Sequence, residues 1–520
     1  WLKTQINQID PELKAKFNKV DEFAKDLGNS ISFFKINLSC ISPERQKEFL
    51  NSIELYKYKH FLDRVFQKSK HILGEMGEKI MDLKDSSSYS YWEKMIFGFL
   101  SKEEREVTNE EGSIIKVTME DLLGLLASKN KQIRDEAARA FNSILIKYKD
   151  VAEHELNAIL ENKKVDDKLR GFSRPDEERH LGDDIKTETV DSLIKAVTKR
   201  FSIAHRYYKL KAKLLGQDKL EYHERVVEYG KIDKNYSYEE AIKIIRRVFV
   251  GLDKEFEDIF NMFLEKGLVD VYPKKGKRGG AFCVHISKSQ PTYIMLNHTQ
   301  KLKDVTTFAH EVGHGINNEL TRKQNSLYFD TSTATAEVAS TFMEDFVLQE
   351  LLKEADDELR LSLMTAKLDS DISSIIRQVA CYNFEKELHE RFREKGFLPK
   401  EEIGEIFQKH MGNYMGEYVK LSPGSENWWV YWQHIRMYFY VYSYASGLLI
   451  SKALQRKVKE NLEFISKVKE FLAAGISKSP EEIFMEMGIK LNENFWNQGL
   501  DEVEDLLNKT ESLAKKLGKI

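Results

Sequence analysis

The sequence predicts a mostly α-helical protein with one small β-sheet placed directly before a helix that carries two histidines four positions apart. Three observations lead there. Long stretches rich in Lys, Glu, Leu and Ala, with only eight prolines in 520 residues, suit helices. Strand-like runs that are short, β-branched and aromatic gather mainly between Leu268 and Asn297. Immediately after them, Thr306 to Leu320 reads TTFAHEVGHGINNEL and contains His310-Glu311-Val312-Gly313-His314, an HExxH arrangement.

The length allows two or three domains' worth of core. The polar stretch Gly171 to Asp184, which holds Pro175, is the clearest break. It sets an expected N-terminal helical domain at 1–175 and a catalytic domain at 176–520. Charged residues are 32 % of the chain, yet the formal net charge is only −3, so no basic nucleic-acid footprint exists. No apolar run reaches the ~20 residues of a membrane span. The three cysteines, Cys40, Cys283 and Cys381, are far apart and fit free thiols in a reducing, cytoplasmic setting. Nothing in the sequence sets an oligomeric state.

Taken in order, Pro11–Leu27, Pro43–Phe66 and Lys57–Lys84 carry helical periodicity with charged faces and no chemical constellation. Around Glu103 to Lys116 a short strand pair or loop is expected, turning near Glu111-Gly112. Met119 to Lys164 is helical. Helix resumes from Thr187, through Arg206–Leu215 and Tyr238–Glu265, with a loop between the last two in which His223 is expected to be solvated. Leu268–Tyr272, Gly280–Ile286 and Thr292–Asn297 read as strands, joined partly by the glycine-rich, basic KKGKRGG. A sheet edge there is suited to pairing with an extended peptide through main-chain hydrogen bonds. Gly279 and Gly280 would let the backbones approach closely.

On the HExxH helix, positions four apart share one face, so both imidazoles reach one metal ion. Glu311, one step round, points at a water on it, the zinc-peptidase arrangement. Catalytic zinc needs a third protein ligand. Thr335 to Leu352 forms the next helix, and Glu337 is its first carboxylate, flanked by Ala336 and, two positions on, Ala339. Asp330 and Asp345 compete for that role, while Glu344 is placed to hold a ligand imidazole by its second nitrogen.

Asp356–Lys395 and Glu401–Tyr418 are helical, and Leu421–Asn427 breaks the pattern. Trp428 to Ile450, WWVYWQHIRMYFYVYSYASGLLI, reads as an aromatic helix. Its many phenols and imidazole each need a hydrogen-bond partner if buried, which suits the wall of a wet cleft. Donors of this kind stabilise an oxyanion formed at an amide carbonyl. Lys452–Ile520 is helical without a further motif.

Several segments in this order, namely LGDD, DVYPKKGKRGGAF, FAHEVGHGINNE, ATAEVASTFMED, IIRQVACYNFEKELHE and HIRMYFYVYSYASG, resemble oligoendopeptidase F of the thimet-oligopeptidase family of zinc metallopeptidases. The resemblance runs from about Leu181 to Gly447. It implies an elongated helical fold with a deep channel walled by both domains, one zinc per chain, and cleavage of internal bonds in short unstructured peptides. It implies His310, His314 and Glu337 as zinc ligands and Glu311 as the base that activates the attacking water. Among the aromatic residues, His434 and Tyr442 are the first choices to assist the carbonyl oxygen, with Tyr438 and Tyr440 as alternatives. Gly279, Gly280 and Ala281, with Tyr440, are the expected substrate-binding positions. Two rival readings are an exopeptidase sharing HExxH, against which GKRGGAF argues, and a helical binding protein, against which the intact ligand set argues.

Overall fold

A computed structural model describes residues 1–230 and 234–520. The protein is 71 % helical, in line with its Lys-, Glu-, Leu- and Ala-rich composition. Two small sheets supply the β structure among the described residues. One is the antiparallel pair β1 (Glu104–Thr108) and β2 (Ile114–Thr118). The other joins β3 (Val269–Asp270), β4 (Phe282–Val284) and β5 (Tyr293–Met295) in the order β3-β5-β4. The chain divides into two compact units, each gathered from three segments. Residues 1–72, 232–354 and 450–490 form the first, and residues 73–231, 355–449 and 491–520 the second.

In the first unit, β5 runs parallel to β3 and antiparallel to β4, with Cys283 opposite Ile294. The helix Leu302–Thr321 follows at once. Its start is fixed by Asp304, whose carboxylate accepts the backbone N–H of Thr299 and of Lys301 at 2.6 and 2.9 Å. Val305, Phe308, Ala309, Val312, Ile316 and Leu320 recur at helical spacing and are all buried. Phe308 meets Phe260 of the helix Lys254–Glu265, with ring centroids 5.6 Å apart.

The helix Val338–Glu354 lies against this one more closely than side chains normally allow. A methyl group at Gly313 would stand 2.6 Å from the Ser340 Cα and 2.7 Å from the Ala339 carbonyl oxygen. Both are backbone atoms, so neither can swing aside. Glycine is therefore required inside HEVGH for steric reasons, despite its cost within a helix. Gly313→Ala is expected to lower stability by ~1–3 kcal/mol through overpacking. Gly124, with nothing within 4 Å of its added methyl, is the control, and there alanine should be neutral or stabilising. Denaturant midpoints of the two variants check this; an unchanged midpoint for Gly313→Ala would sink it.

In the second unit the long helix Lys131–Arg170 ends at Gly171, whose φ of 76° is the left-handed stop glycine permits. The stretch after it is not wholly irregular. Glu177–Asp183 is a helix with buried His180 and Asp183, tied down by bonds from Tyr382 to Asp176 (2.6 Å) and to His180 (3.0 Å). His223, expected in solvent, is buried with its Nε2 2.9 Å from Asp135.

The aromatic segment also departs from expectation. Instead of one helix from Trp428, the chain makes 3₁₀ turns at Ser425–Val430 and Gln433–Arg436, and α-helix begins only at Tyr442. Arg436, fully buried, accounts for this. Its guanidinium pairs with Glu155 (2.9 and 2.8 Å) and donates to the carbonyls of Trp429 (3.2 Å) and Trp432 (3.0 Å). Held by the guanidinium, the Trp429 carbonyl accepts the Trp432 N–H in a 3₁₀ bond (3.2 Å) instead of closing an α-helical one. Two successive left-handed residues, Tyr438 and Phe439, then reverse the chain.

Candidate metal centre and aromatic cluster

His310 and His314 project from one face of the Leu302–Thr321 helix, with ring centroids 5.0 Å apart. The close approach at Gly313 brings Glu337 to them from the start of the neighbouring helix. One Glu337 oxygen lies 3.3 Å from His310 Nε2 and 3.5 Å from His314 Nε2. Each of the three offers a donor atom, and these atoms lie within 4.8 Å of one another. Donors ~2.0–2.1 Å from a tetrahedral zinc stand ~3.3–3.4 Å apart, so two imidazole nitrogens and one carboxylate oxygen at these separations fit such an ion.

The surroundings keep the first imidazole oriented. His310 Nδ1 sits 3.0 Å from Glu344, which holds the ring and leaves Nε2 for the shared point. Burial opposes charge on His310, but Glu337 and Glu344 outweigh it and raise its pKa to about 10. Burial likewise opposes charge on Glu337, and hydrogen bonds from His310 and His314 push it far below the usual carboxylate range. The field at this point favours a cation. Glu311, 7 % exposed, is pushed up by burial, with the two histidines working against the shift.

The competing carboxylates are engaged elsewhere. Asp345 is buried, 3.0 Å from the Gln455 amide and 3.5 Å from Lys452. Asp330 is exposed and accepts the N–H of Thr331 at 2.8 Å. A second trio, Asp135, His223 and Glu224, also converges. There Arg134 (2.7 Å) and Lys131 (2.9 Å) already neutralise Glu224, so that group is an ion-pair knot.

Gly279 and Gly280 are exposed, with open space where a side chain would stand. The loop before them is pinned rather than free. The Lys277 ammonium is buried and bonds to the Asp270 carboxylate and, at 2.8 Å, the Tyr272 carbonyl. Asn297 donates to the carbonyls of Arg278 (2.9 Å) and Gly280 (2.7 Å). Ala281, half-buried, leads into β4, an edge strand of its sheet.

In the second unit the four aromatic candidates separate. Tyr442 is fully buried and its hydroxyl donates to Asp183 at 2.8 Å. Tyr438 donates to the Ile159 carbonyl at 3.1 Å. His434 and Tyr440 are half-buried and hydrogen-bonded to each other through Nδ1 and the phenol. Tyr444, not chosen from the sequence, joins them with its hydroxyl 3.4 Å from that of Tyr440. Burial, with Arg377 nearby, lowers His434 to about 4, so the ring is neutral at neutral pH. The neutral ring carries one N–H and the phenol one O–H, so their mutual bond uses one proton and leaves the pair one to donate. Tyr438 and Tyr442 are thus bonded to other parts of the fold, whereas His434, Tyr440 and Tyr444 are bonded to one another. Gly313 is the residue sequence reasoning overlooked, while Tyr444 stood out only as one of the segment's many polar aromatics. The only sequence signal for the first was a glycine inside the motif next to a small-residue helix.

Comparison with known proteins agrees with this chemistry. Residues 38–95 match the model of the Oligopeptidase F family, and residues 124–496 match that of Peptidase family M3. An oligoendopeptidase F homolog of Lactococcus lactis subsp. lactis (strain IL1403) is 26 % identical over 498 residues, covering 94 % of this chain and 82 % of the relative. Oligopeptidase PepF of Bacillus subtilis (strain 168) is 26 % identical over 487 residues, covering 91 % and 72 %. Among solved structures, oligoendopeptidase-F from Enterococcus faecium superposes with a TM-score of 0.76 at 19 % identity, over 99 % of this chain and 89 % of that one. Among the described residues no helix is long and apolar enough to cross a membrane. With a family model spanning well over half of its length, this chain belongs to peptidase family M3 and is a metalloendopeptidase.

Proposed function

We propose that the protein is a zinc-dependent oligoendopeptidase that hydrolyses internal bonds of short unstructured peptides. The observation that carries this is the convergence of His310, His314 and Glu337, with buried Glu311 beside them on the same helix. When bound, zinc supplies Lewis-acid polarisation and lowers the pKa of a water towards ~7. Glu311 takes a proton from the attacking water and returns it to the leaving amine. Glu344 keeps His310 turned towards the metal. The edge strand β4, with Gly279, Gly280 and Ala281 before it, aligns an extended peptide through its main chain. Tyr444 and the remaining proton of the His434–Tyr440 pair give hydrogen bonds to the reacting carbonyl oxygen as charge develops on it. The similarity to an oligoendopeptidase and an oligopeptidase supports oligopeptides as the substrate class. Three free cysteines support a cytoplasmic location. No nucleic acid or membrane enters this reading.

Elemental analysis tests it first. About one zinc per chain is expected, with peptidase activity lost to a chelator and regained when zinc returns. Active enzyme without bound metal would overturn the proposal. Mass spectrometry of digests of end-blocked peptides of graded length then separates internal cleavage from trimming, because an exopeptidase leaves blocked peptides intact.

A further inference from the structure

Tyr438 and Phe439 are the one adjacent pair of non-glycine residues with positive φ among the described residues, at 46° and 56°. Such a conformation is unfavourable for a residue with a Cβ and persists only where its surroundings over-determine it. Here they do. Arg179 donates from Nε to the Tyr438 carbonyl (3.1 Å) and from Nη2 to the Met437 carbonyl (2.9 Å). The Phe439 N–H donates to Glu385 at 2.7 Å, and the Phe439 ring is fully buried against Tyr382 and His389. The other Glu385 oxygen is buried with no hydrogen-bond partner, so the carboxyl serves this one amide.

The turn has a geometric consequence. On a continuous helix, residues six apart point ~120° away from each other. His434 and Tyr440 are six apart and yet are hydrogen-bonded. The reversal at 438–439, after the 3₁₀ turn at Gln433–Arg436, turns the phenol back towards the imidazole.

We propose that Arg179 and Glu385 are positioning residues for peptide hydrolysis, holding the left-handed turn that keeps Tyr440 on His434. This rests on the reading of the His434–Tyr440–Tyr444 cluster as donors to the reacting carbonyl. Neither residue touches substrate; both act through Tyr440.

The test is a double-mutant cycle on the full-length, zinc-loaded enzyme with a blocked peptide substrate. R179M and E385L should each lower kcat at least ~tenfold, as small misplacements of reacting groups do, while KM stays within ~threefold. Burial pushes the Glu385 carboxyl up to about 8, so glutamine replaces it closely and keeps the accepting oxygen. E385Q should therefore hold kcat within ~threefold of the parent. In a Y440F background, R179M and E385L should cost less than ~threefold more, because the group they position is already gone. In metal-free protein, the Phe439 amide should exchange its hydrogen faster in E385L. If R179M does not fold, the E385L and E385Q pair carries the test. Full multiplication of the losses in the Y440F background, or folded R179M and E385L turning over like the parent, would overturn the positioning role alone. A Y440F enzyme with parental kcat would overturn the cluster's role and this proposal with it.

Discussion

Replacing Glu311 by Gln leaves the metal bound and lowers turnover at least ~10²-fold, the lower range for losing a general base. The amide has the shape of the carboxylate but cannot take a proton. Glu311 is buried within the helix that carries both histidines, so an isosteric change leaves the helix undisturbed. Its position between His310 and His314 in sequence, rather than among the converging donors, separates the two roles. Glu337→Ala should behave differently. It deletes the oxygen 3.3 and 3.5 Å from the two imidazoles and so weakens the metal itself. Metal content measured beside kcat distinguishes the cases. Should Glu337→Ala hold zinc as tightly as the parent, the third ligand has been misassigned and Glu344, then Asp330, come next. Should Glu311→Gln retain full turnover, another group is the base.

The contrast between these two carboxylates also shows what a sequence can reveal. His310 and His314 were legible because ligation and helical periodicity impose one spacing, and the apolar residues around them repeat at the same period. Glu337 was legible only as the first acid on the next helix. Its meeting with the histidines depends on Gly313 facing the Ala339 carbonyl, a backbone-to-backbone contact without a periodic signature. The strands were found from composition and the helices from their period. The aromatic segment was misread as one helix because its geometry comes from partners remote in sequence. Glu155 binds Arg436 from 281 positions away, and Glu385 binds the Phe439 amide from 54. His223 was misplaced for the same reason, since the Asp135 that shelters it lies 88 positions earlier. Local pattern cannot report a buried polar pair whose halves meet only after folding.

Tyr440→Phe is expected to lower kcat by ~10²-fold with little change in KM, because the His434–Tyr440 pair then no longer holds its outward proton towards an oxyanion. The substitution keeps the ring against His434 and Tyr444, at centroid distances of 5.4 and 5.7 Å, and deletes only the hydroxyl. Tyr442→Phe should give the opposite pattern. Its hydroxyl is buried and donates to Asp183, so removing it deletes a buried hydrogen bond to a carboxylate and costs ~1–3 kcal/mol of stability. Turnover per folded molecule should then stay within ~threefold. Tyr438→Phe, which loses a bond to the Ile159 carbonyl, belongs with Tyr442 on this argument. Kinetics and denaturant unfolding run on the same preparations separate a donor to the substrate from a donor to the fold. A silent Tyr440→Phe beside a slow, fully stable Tyr442→Phe would return the catalytic role to Tyr442. Silence at 438, 440, 442 and 444 together would show that these phenols serve packing alone.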